Sequence, residues 1–390
     1  MAVHSSDPAA LHALVVVASR VNARVVLLPD VNVAERAALA QQVGAGRVVS
    51  YGAGGWHIEV ERDPDATAVP PASQLGFFTS GTTGPPKLVW HRWASVSART
   101  GTSARSEVGA RWLMTYAPRS FAAIQVLFAA LHHDASVWYA PPEPSDVVAL
   151  LRTAAITVAS ATPSWWRRLL LNWPRGEPKP MVRQITMGGE PVTQDVLDAV
   201  RTAFRPERLT HIYASTEAGS VFSVSDGRAG FPVAWLRSER GQRIRVRDGQ
   251  LEVFIGEGAG RGPSTESGRT EDGWYRTPDI ADVVEDRVVL VGRVDCVINV
   301  GGRKLTPEQI ELVVRREPGV ADCRAFAKRS PITGAVVALE VVPAPGVALD
   351  TRALRSRLAQ SLPRELVPRL ISLVPAITIT SAGKRSRVDR

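Results

Sequence analysis

Short β-branched and apolar runs alternate with amphipathic segments from the start of the chain to about residue 215. Asp7-Pro8 is typical of a helix start, because proline fits the first helical position, and it predicts a helix over about 8–20. Beyond it we predict strands at Arg24–Leu28, Arg47–Tyr51, Trp112–Thr115, Ser136–Tyr139, Thr157–Ser160, Gln184–Met187 and Leu209–Tyr213, and helices over about 33–43, 121–133, 144–154, 163–172 and 193–204. This alternation predicts βα units on mostly parallel sheets.

The pattern changes after about residue 230, where strand-like runs flank tight turns. Asp248-Gly249 and Asp286 each separate two such runs and predict hairpins. From Asp295 onward, helices over about 307–317 and 350–361 and strands near 320–328 and 334–342 predict a small α+β unit. The chain is therefore predicted to be an α/β protein with two domains. A large domain, 1–294, has mostly parallel sheets and a small β-barrel-like part, and a small α+β domain, 295–390, follows it.

Composition supports a folded protein, with 390 residues, 45% hydrophobic and 22% charged. No apolar run reaches the roughly 18 residues that a membrane span needs, and we find no signal peptide, so no membrane partner is expected. Cys296 and Cys323 make neither a disulfide framework nor a zinc motif. These features predict a cytoplasmic protein.

The net charge of +9 raises the question of nucleic-acid binding. Only five of the 47 basic residues are lysine, and the arginines are scattered along the chain, which is typical of the codon bias of a GC-rich genome. We therefore expect no nucleic-acid partner.

The strongest chemical signal directly follows the apolar strand Leu75–Phe78. Its residues are Thr79, Ser80, Gly81, Thr82, Thr83, Gly84, Pro85, Pro86 and Lys87. Glycines let backbone amides turn inward, hydroxyls donate hydrogen bonds and a lysine adds positive charge, so such a loop can hold phosphate oxygens. The spacing differs from that of the Walker loop. On composition alone, a flexible Ser/Thr/Gly loop is an equally good interpretation.

The order of this string resembles the phosphate loop of the adenylate-forming superfamily, which includes acyl-CoA synthetases, adenylation domains of peptide synthetases and luciferases. Further stretches resemble the motifs of that superfamily in the same order: Met187–Pro191, Tyr213–Glu217, Trp274–Asp279, Gly292–Asp295, Gly301–Lys304 with Pro307, Glu308 and Glu311, and Ser381–Lys384. The resemblance covers about residue 75 to the end. Ala214 and Pro278 stand where glycine is usual. The phosphate loop also lies unusually early, so we expect part of the usual amino-terminal region to be absent.

The resemblance implies a role for each matching residue. Thr79, Ser80, Gly81, Thr82, Thr83, Gly84 and Lys87 would hold the ATP phosphates, and Gly188, Gly189, Glu190, Tyr213, Ala214, Ser215, Asp279 and Arg293 would hold adenine and ribose. Thr216 would contact the α-phosphate and Glu217 would bind Mg²⁺. Lys384 would bridge the reacting carboxylate and the α-phosphate, and Asp295 would be the hinge of the small domain.

Each of these residues also has an ordinary structural explanation. Tyr213 could be a core tyrosine, Glu217 a solvated loop acid and Lys384 a basic tail residue. Asp279 and Arg293 could form surface ion pairs, and Asp295 could belong to a turn.

The substrate pocket gives a weaker signal. Peptide-synthetase domains carry, just after the phenylalanine that matches Phe121, an aspartate that holds the α-amine of the substrate. Here Ala122 occupies that position, so we do not expect an α-amino acid as the substrate. Candidate wall residues, chosen from position, are Phe121, Ala122, Trp165, Met187, Gly188 and Val221. This apolar lining suits an aryl or short acyl group, and each residue could equally be plain core.

The predicted function is an ATP- and Mg²⁺-dependent ligase that activates a small acid as its AMP anhydride, releases pyrophosphate and passes the acyl group to CoA or a carrier-protein thiol. One alternative is a nitrite-activating diazotase that acts on an aromatic amine. Another is a non-catalytic nucleotide-binding relative. A third is a half-enzyme that another chain or a dimer mate completes. The expected state is a monomer or a homodimer.

Overall fold

The computed structural model describes residues 1–21, 23–61, 74–79, 87–97, 109–237, 244–255, 273–330, 334–380 and 384–387. Within these residues the chain forms five β-sheets. Three of them lie in the large unit, which we define as residues 1–293. The other two lie in the small unit, residues 298–387.

The first sheet and its helices are built from the start of the chain. They are β1 (Ala2–Ser5), α1 (Pro8–Arg20), β2 (Val25–Leu27), α2 (Val33–Gln42), β3 (Arg47–Gly52), β4 (Gly55–Glu61), β5 (Gln74–Thr79), β6 (Lys87–Arg92) and α3 (Trp93–Ser97). The strand order is β4-β3-β1-β2-β5-β6, and the inner strands pair in parallel. Helix α1 begins as predicted, because the Asp7 carboxylate accepts hydrogen bonds from the amides of Ala9 and Ala10.

The second sheet continues the βα pattern. Its elements are β7 (Arg111–Met114), α4 (Phe121–His132), β8 (Ser136–Tyr139), α5 (Pro144–Thr153), β9 (Val158–Ala161), α6 (Pro163–Asn172), β10 (Gln184–Gly188), α7 (Gln194–Phe204), β11 (Arg208–Ser215) and β12 (Gly219–Val224). The strand order is β12-β11-β10-β9-β7-β8, and β12 alone among the six is antiparallel to its neighbour. Helices α4 and α6 begin at Ser120 and Thr162, whose side chains accept amide hydrogen bonds.

Helix α4 joins the first two sheets. It belongs to one hydrophobic cluster with Val3 and Phe77 from the first sheet and Trp112 from the second. Because both sheets cover it, its Phe121 and Ile124 side chains are buried. A helix that is apolar nearly all round is expected in such a position.

The third sheet is antiparallel and corresponds to the predicted β-barrel-like part. Its strands are β13 (Phe231–Pro232), β14 (Ile244–Arg247), β15 (Gln250–Phe254), β16 (Trp274–Val284) and β17 (Arg287–Arg293), in the order β13-β17-β16-β15-β14. The turn between β14 and β15 has φ values of +51° at Asp248 and +72° at Gly249. Both values are those of the hairpin turn that the Asp-Gly pair predicts.

The small unit has a hydrophobic core of its own, which includes Ile310, Val337 and Leu358. Its elements are β18 (Ile298–Val300), β19 (Arg303–Leu305), α8 (Pro307–Val314), β20 (Val320–Ser330), β21 (Gly334–Pro343), α9 (Thr351–Ser361) and β22 (Leu370–Leu373). A capping box between Thr306 and Gln309 begins α8.

The fold prediction is confirmed: the protein is α/β, with parallel-containing sheets in the large unit and a small α+β unit after them. The strands that the sequence pattern missed include β1, β4, β6, β12, β13, β18 and β19. Strand β1 is central in the first sheet although its four residues include His4 and Ser5. In the part of the chain that the structure describes, we find no helix with both the length and the apolar character to cross a membrane.

Candidate functional site

The candidate site lies at the carboxyl ends of the parallel strands β10 and β11, where open α/β sheets bind their ligands. Gly188 ends β10, and Gly189 turns the chain with a φ of +84°. Ser215 ends β11, and its hydroxyl accepts a hydrogen bond from the Ala218 amide at 3.0 Å. The intervening turn presents Glu217, which is half-buried.

Tyr213 and Asp279 form the tightest polar contact of the site. The Tyr213 hydroxyl donates to Asp279 Oδ2 at 2.5 Å, and Phe222 stacks on the Tyr213 ring with a centroid distance of 5.3 Å. Burial raises the pKa of Asp279, although the Tyr213 hydrogen bond and the positive charges of Arg293 and Lys384 lower it in part. Burial also raises the pKa of Tyr213 well above its ordinary value. One face of the ring and the hydroxyl therefore already have protein partners.

Arg293 links this pair to the predicted hinge. It lies opposite Asp279 in the register of β16 and β17, and its guanidinium donates to both oxygens of Asp295 at 2.9 and 2.8 Å. Burial by itself lowers the pKa of Arg293. The hydrogen bonds to Asp295 and the negative charges of Asp279 and Asp295 outweigh burial, so the pKa of Arg293 lies above its ordinary value. Just before it, Gly292 has a φ of +141°, and a Cβ there would lie 2.5 Å from the Thr306 Cβ. Glycine is therefore required where the two units meet.

The carboxy-terminal tail brings Lys384 to the large unit. Lys384 Cε lies 3.6 Å from the position that a Cβ on Gly189 would occupy. The main chain around the lysine is held by a hydrogen bond from the Thr380 amide to the Lys384 carbonyl, at 2.7 Å. The lysine thus lies beside the Gly188–Gly189 turn, and its charge acts on Asp279.

Glu190 has different partners from those that the resemblance implies. Its Oε1 accepts from the Arg385 amide at 2.8 Å, and its Oε2 accepts from the Ser164 amide at 3.0 Å. The Glu190 carboxylate therefore joins the tail to the first turn of α6.

The predicted phosphate loop is described only at its two ends. Thr79 ends β5 and pairs across the antiparallel ladder with Lys87, the first residue of β6, which is exposed. Ser80, Gly81, Thr82, Thr83 and Gly84 lie outside the described residues. The loop therefore connects two adjacent antiparallel strands.

The structure brings part of the predicted pocket together. The Phe121 ring stacks on His91 at 4.8 Å and meets Phe77 edge-on at 5.6 Å. Its Cζ lies 4.0 Å from the Cβ position of Gly219, so the start of α4 faces the turn that carries Glu217.

The other wall candidates have different surroundings. Met187 is fully buried in a hydrophobic cluster of the second sheet, as a core residue would be. Trp165 packs edge-on against Trp166 in α6 at 5.0 Å. Val221 packs against the cluster around Tyr213. Ala122 is half-buried, and Gly188 is buried with its Cβ position 3.9 Å from the Tyr116 hydroxyl.

Sequence reasoning missed His91 and Arg385. His91 Nε2 lies 2.6 Å from the Thr216 carbonyl oxygen, so this buried imidazole holds the turn that carries Glu217. Burial lowers the pKa of His91. A signal for it was available: Val89 and His91 occupy alternate, inward positions of β6, and a histidine is unusual in an apolar alternation. Arg385, the neighbour of Lys384, is buried.

The side chains of the site can hold a Mg²⁺ ion together with a phosphate-bearing ligand. Among the described residues no group of three or more His, Cys, Asp or Glu side chains could hold a metal by itself. Mg²⁺ is often bound by one or two carboxylates together with substrate phosphates, so a single Glu217 beside a nucleotide site is a sufficient donor set. The negative charge of Glu217 also contributes, after burial, to the raised pKa of Tyr275, which places this carboxylate near β16.

Two family models match the chain. Residues 7–264 match the AMP-binding enzyme model, and residues 309–384 match the model of the AMP-binding enzyme C-terminal domain. The first match covers more than half of the chain. The chain belongs to the AMP-binding enzyme family, which is the adenylate-forming superfamily that its motifs resemble. Enzymes of this superfamily use ATP and Mg²⁺.

Individual relatives are distant. Over 269 residues the chain is 28% identical to a salicylyl-CoA synthase / salicylate adenylyltransferase from Streptomyces sp, covering 62% of this chain and 48% of the relative. It is 25% identical to a feruloyl-CoA synthase from Amycolatopsis sp, covering 90% of this chain and 76% of the relative. It therefore spans about half the length of the first of these proteins. Among solved structures, o-succinylbenzoate CoA synthetase from Bacillus subtilis, in complex with an acyl-adenylate, has the same fold, with a TM-score of 0.66 and 18% identity over 98% of this chain and 86% of that one.

Proposed function

We propose that the protein is an ATP-dependent adenylate-forming ligase. In its first half-reaction a carboxylate oxygen attacks the α-phosphorus of ATP, the bond from the α-phosphorus to the bridging oxygen breaks, and pyrophosphate leaves. In the second, a nucleophile attacks the acyl carbon and AMP leaves. The observation that carries this proposal is the position of Lys384. A tail residue of the small unit lies at the Gly188–Gly189 turn of the large unit, and its positive charge acts on Asp279.

Lys384 would act on the charge that develops in the first half-reaction. As the carboxylate approaches phosphorus, negative charge accumulates on the non-bridging oxygens, and an ammonium group placed there stabilises the transition state. Thr216 and the residues of the phosphate loop would bind the same phosphates as hydrogen-bond donors. Mg²⁺, held by Glu217, would neutralise phosphate charge when bound.

Asp279 and Arg293 would hold the ribose. Tyr213 already donates to Asp279 Oδ2, so Oδ1 would accept a ribose hydroxyl and Arg293 would donate to the sugar. Asp279 must be ionised to accept two hydrogen bonds well, and the Tyr213 hydroxyl favours the ionised form. The Tyr213–Asp279 pair is then part of the nucleotide site rather than a separate structural contact.

The aromatic cluster at the start of α4 supports an aryl or short acyl acid. Phe121, His91 and Phe77 form a buried aromatic cluster close to the turn with Thr216, and Ala122 offers no carboxylate for an α-amine. Two relatives carry names of aryl-CoA ligases, salicylyl and feruloyl. The acceptor would be CoA or a carrier-protein thiol. For this step residues 295–390 would rotate about Asp295, which removes Lys384 from the site.

Acid-dependent ATP–pyrophosphate exchange tests the proposal. Purified protein is assayed with a panel of benzoic, cinnamic, short aliphatic and α-amino acids. Nitrite together with an aromatic amine forms a separate arm, and Lys384→Ala is the inactive control. We expect exchange with at least one aryl or short aliphatic acid, and loss of it in the control. Exchange with α-amino acids alone, or equal exchange without any acid, would contradict the proposed substrate class. Diazo product with nitrite would favour the diazotase alternative.

A further inference from the structure

The residue that follows the predicted catalytic lysine is a buried arginine. The Arg385 side chain is 5% exposed. Its Nη2 donates to both oxygens of Asp322 at 2.8 and 3.1 Å, and its Nη1 donates to the Cys323 carbonyl. Its Nε donates to Ser164 Oγ at 3.0 Å. A charge this deeply buried is stable only with such partners.

The partners of Arg385 come from both units. Asp322 and Cys323 lie in β20 of the small unit. Ser164 lies in α6 of the large unit, and the main-chain amide of Arg385 donates to Glu190 of the large unit at 2.8 Å. The two bonds to the large unit are made at the residue next to Lys384. They therefore fix the point from which the lysine side chain extends.

Two other arginines of this region behave differently. Arg324 donates to Glu340 at 2.8 and 2.9 Å, and Arg387 donates to Glu308 at 2.8 Å and to Glu311. These partners all lie in the small unit. They can hold the tail to the small unit, whereas Arg385 also reaches across to the large unit.

We propose that Arg385 is a positioning residue whose bond to Ser164 latches the Lys384 segment onto the large unit for adenylation and is released for acyl transfer. This inference rests on the proposed function, because it assigns the latch to one of its two half-reactions. The partners suit a reversible contact: Asp322 keeps the guanidinium paired inside the small unit when the bond to Ser164 breaks.

The surroundings allow this release. A cavity of about 180 Å³ lies between α6 and the small unit and is lined by Ser164, Asp322 and Arg385. The described contacts between the units include polar ones, such as Arg175 to the Pro345 carbonyl at 2.8 Å and Arg315 to Asp195 at 3.6 Å. Polar contacts of this kind exchange readily with water, which is typical of interfaces between moving domains.

The first test is Ser164→Ala, which removes the latch from the large-unit side and leaves Arg385 paired with Asp322. A hydrogen bond to a charged group is worth enough that we expect kcat for pyrophosphate exchange to fall about ten- to a hundredfold. KM for ATP should stay within about twofold, because Ser164→Ala leaves the main-chain hydrogen bonds from Ser164 and Arg385 to Glu190 in place. Transfer from preformed acyl-adenylate to a thiol should be unchanged or faster. Ser356→Ala, an exposed serine in α9, is the matched control and should leave both half-reactions unchanged.

Arg385→Met supplies the second arm. Its exchange rate should fall at least as far as that of Ser164→Ala, because Arg385→Met also removes the bonds to Asp322 and Cys323. The double variant should be no slower than Arg385→Met alone, since both changes remove the same bond between Arg385 and Ser164. Arg357→Met, which breaks an ion pair within the small unit, controls for lost charge. Wild-type exchange in Ser164→Ala, or equal losses in both half-reactions, would overturn the proposal.

A distance measurement separates the latch from the chemistry. Nitroxide labels at Ala199→Cys in α7 and Arg355→Cys in α9, in a chain with Cys296→Ser and Cys323→Ala, report the separation of the two units. We expect one narrow distance distribution, and a broader or longer one when Ser164→Ala is added. If the wild-type chain shows no exchange with any acid but Ser164→Ala changes the distance between the labels, the adenylation proposal is wrong and the contact between Arg385 and Ser164 still holds the two units together. If exchange is present and Ser164→Ala leaves the distance between the labels unchanged, the latch proposal is wrong.

Discussion

Tyr213→Phe is the most quantitative test of the proposed nucleotide site. The change deletes the hydroxyl that donates to Asp279 Oδ2 at 2.5 Å and keeps the ring that stacks on Phe222. A hydrogen bond to a charged group contributes about 1.5–3 kcal/mol. Its loss should raise the pKa of Asp279 further, because the carboxylate loses a donor that stabilises its charge.

The sign of the pH dependence follows from the state that the hydroxyl favours. Burial already raises the pKa of Asp279, and the hydroxyl lowers it by stabilising the carboxylate. Where Asp279 is ionised, Tyr213→Phe removes the full stabilisation that the hydroxyl gives the carboxylate in the folded state. As the pH falls and Asp279 becomes protonated, the variant loses less stabilisation. The destabilisation relative to wild type should therefore be larger at pH 8 than at pH 5.

Urea denaturation across this pH range measures the difference in the free energy of unfolding between wild type and Tyr213→Phe. Tyr51→Phe, on β3 and in contact with Trp56, is the control and should show no such trend. In an Asp279→Asn background the cost of Tyr213→Phe should no longer depend on pH. A cost that is equal at every pH in the wild-type background would refute the coupling between the hydroxyl and the carboxylate.

Three further predictions concern catalysis. Lys384→Ala should lower acid-dependent exchange by orders of magnitude and leave the Kd for ATP nearly unchanged, because its contact strengthens in the transition state; isothermal titration and exchange assays together check this. Glu217→Gln should raise the Mg²⁺ concentration that gives half-maximal rate, and an unchanged Mg²⁺ titration would count against its role. Asp295→Pro fixes φ near −65° and should spare one half-reaction while abolishing the other; full retention of both in a well-folded variant would contradict the hinge.

Local signals in the sequence were enough for most of the fold. Helix α1 could be predicted because the capping Asp7 and the following proline act on neighbouring amides. The strand Ala2–Ser5 could not be predicted, because its burial comes from pairing with β2 and β3, more than twenty residues away along the chain. Four residues are too few for a periodic pattern to be recognised.

The site was predictable in its residue types and not in its contacts. The resemblance named Glu190 and Lys384 but gave no distances between them. The bond from the Arg385 amide to Glu190 joins residues 195 positions apart, and the His91 contact with Thr216 spans 125 positions. Such pairs follow from how sheets and units pack together, and no local propensity encodes them.

The most direct test of the central claim follows an oxygen atom. An acid that supports exchange is labelled with ¹⁸O in its carboxylate and turned over with ATP and a thiol acceptor, and AMP is analysed by mass spectrometry. Attack of the carboxylate on the α-phosphorus places one acid oxygen in the anhydride bridge, and AMP keeps that oxygen when the acyl carbon is attacked. We predict AMP with a single ¹⁸O. Unlabelled AMP, or labelled inorganic phosphate with ADP, would contradict adenylate formation.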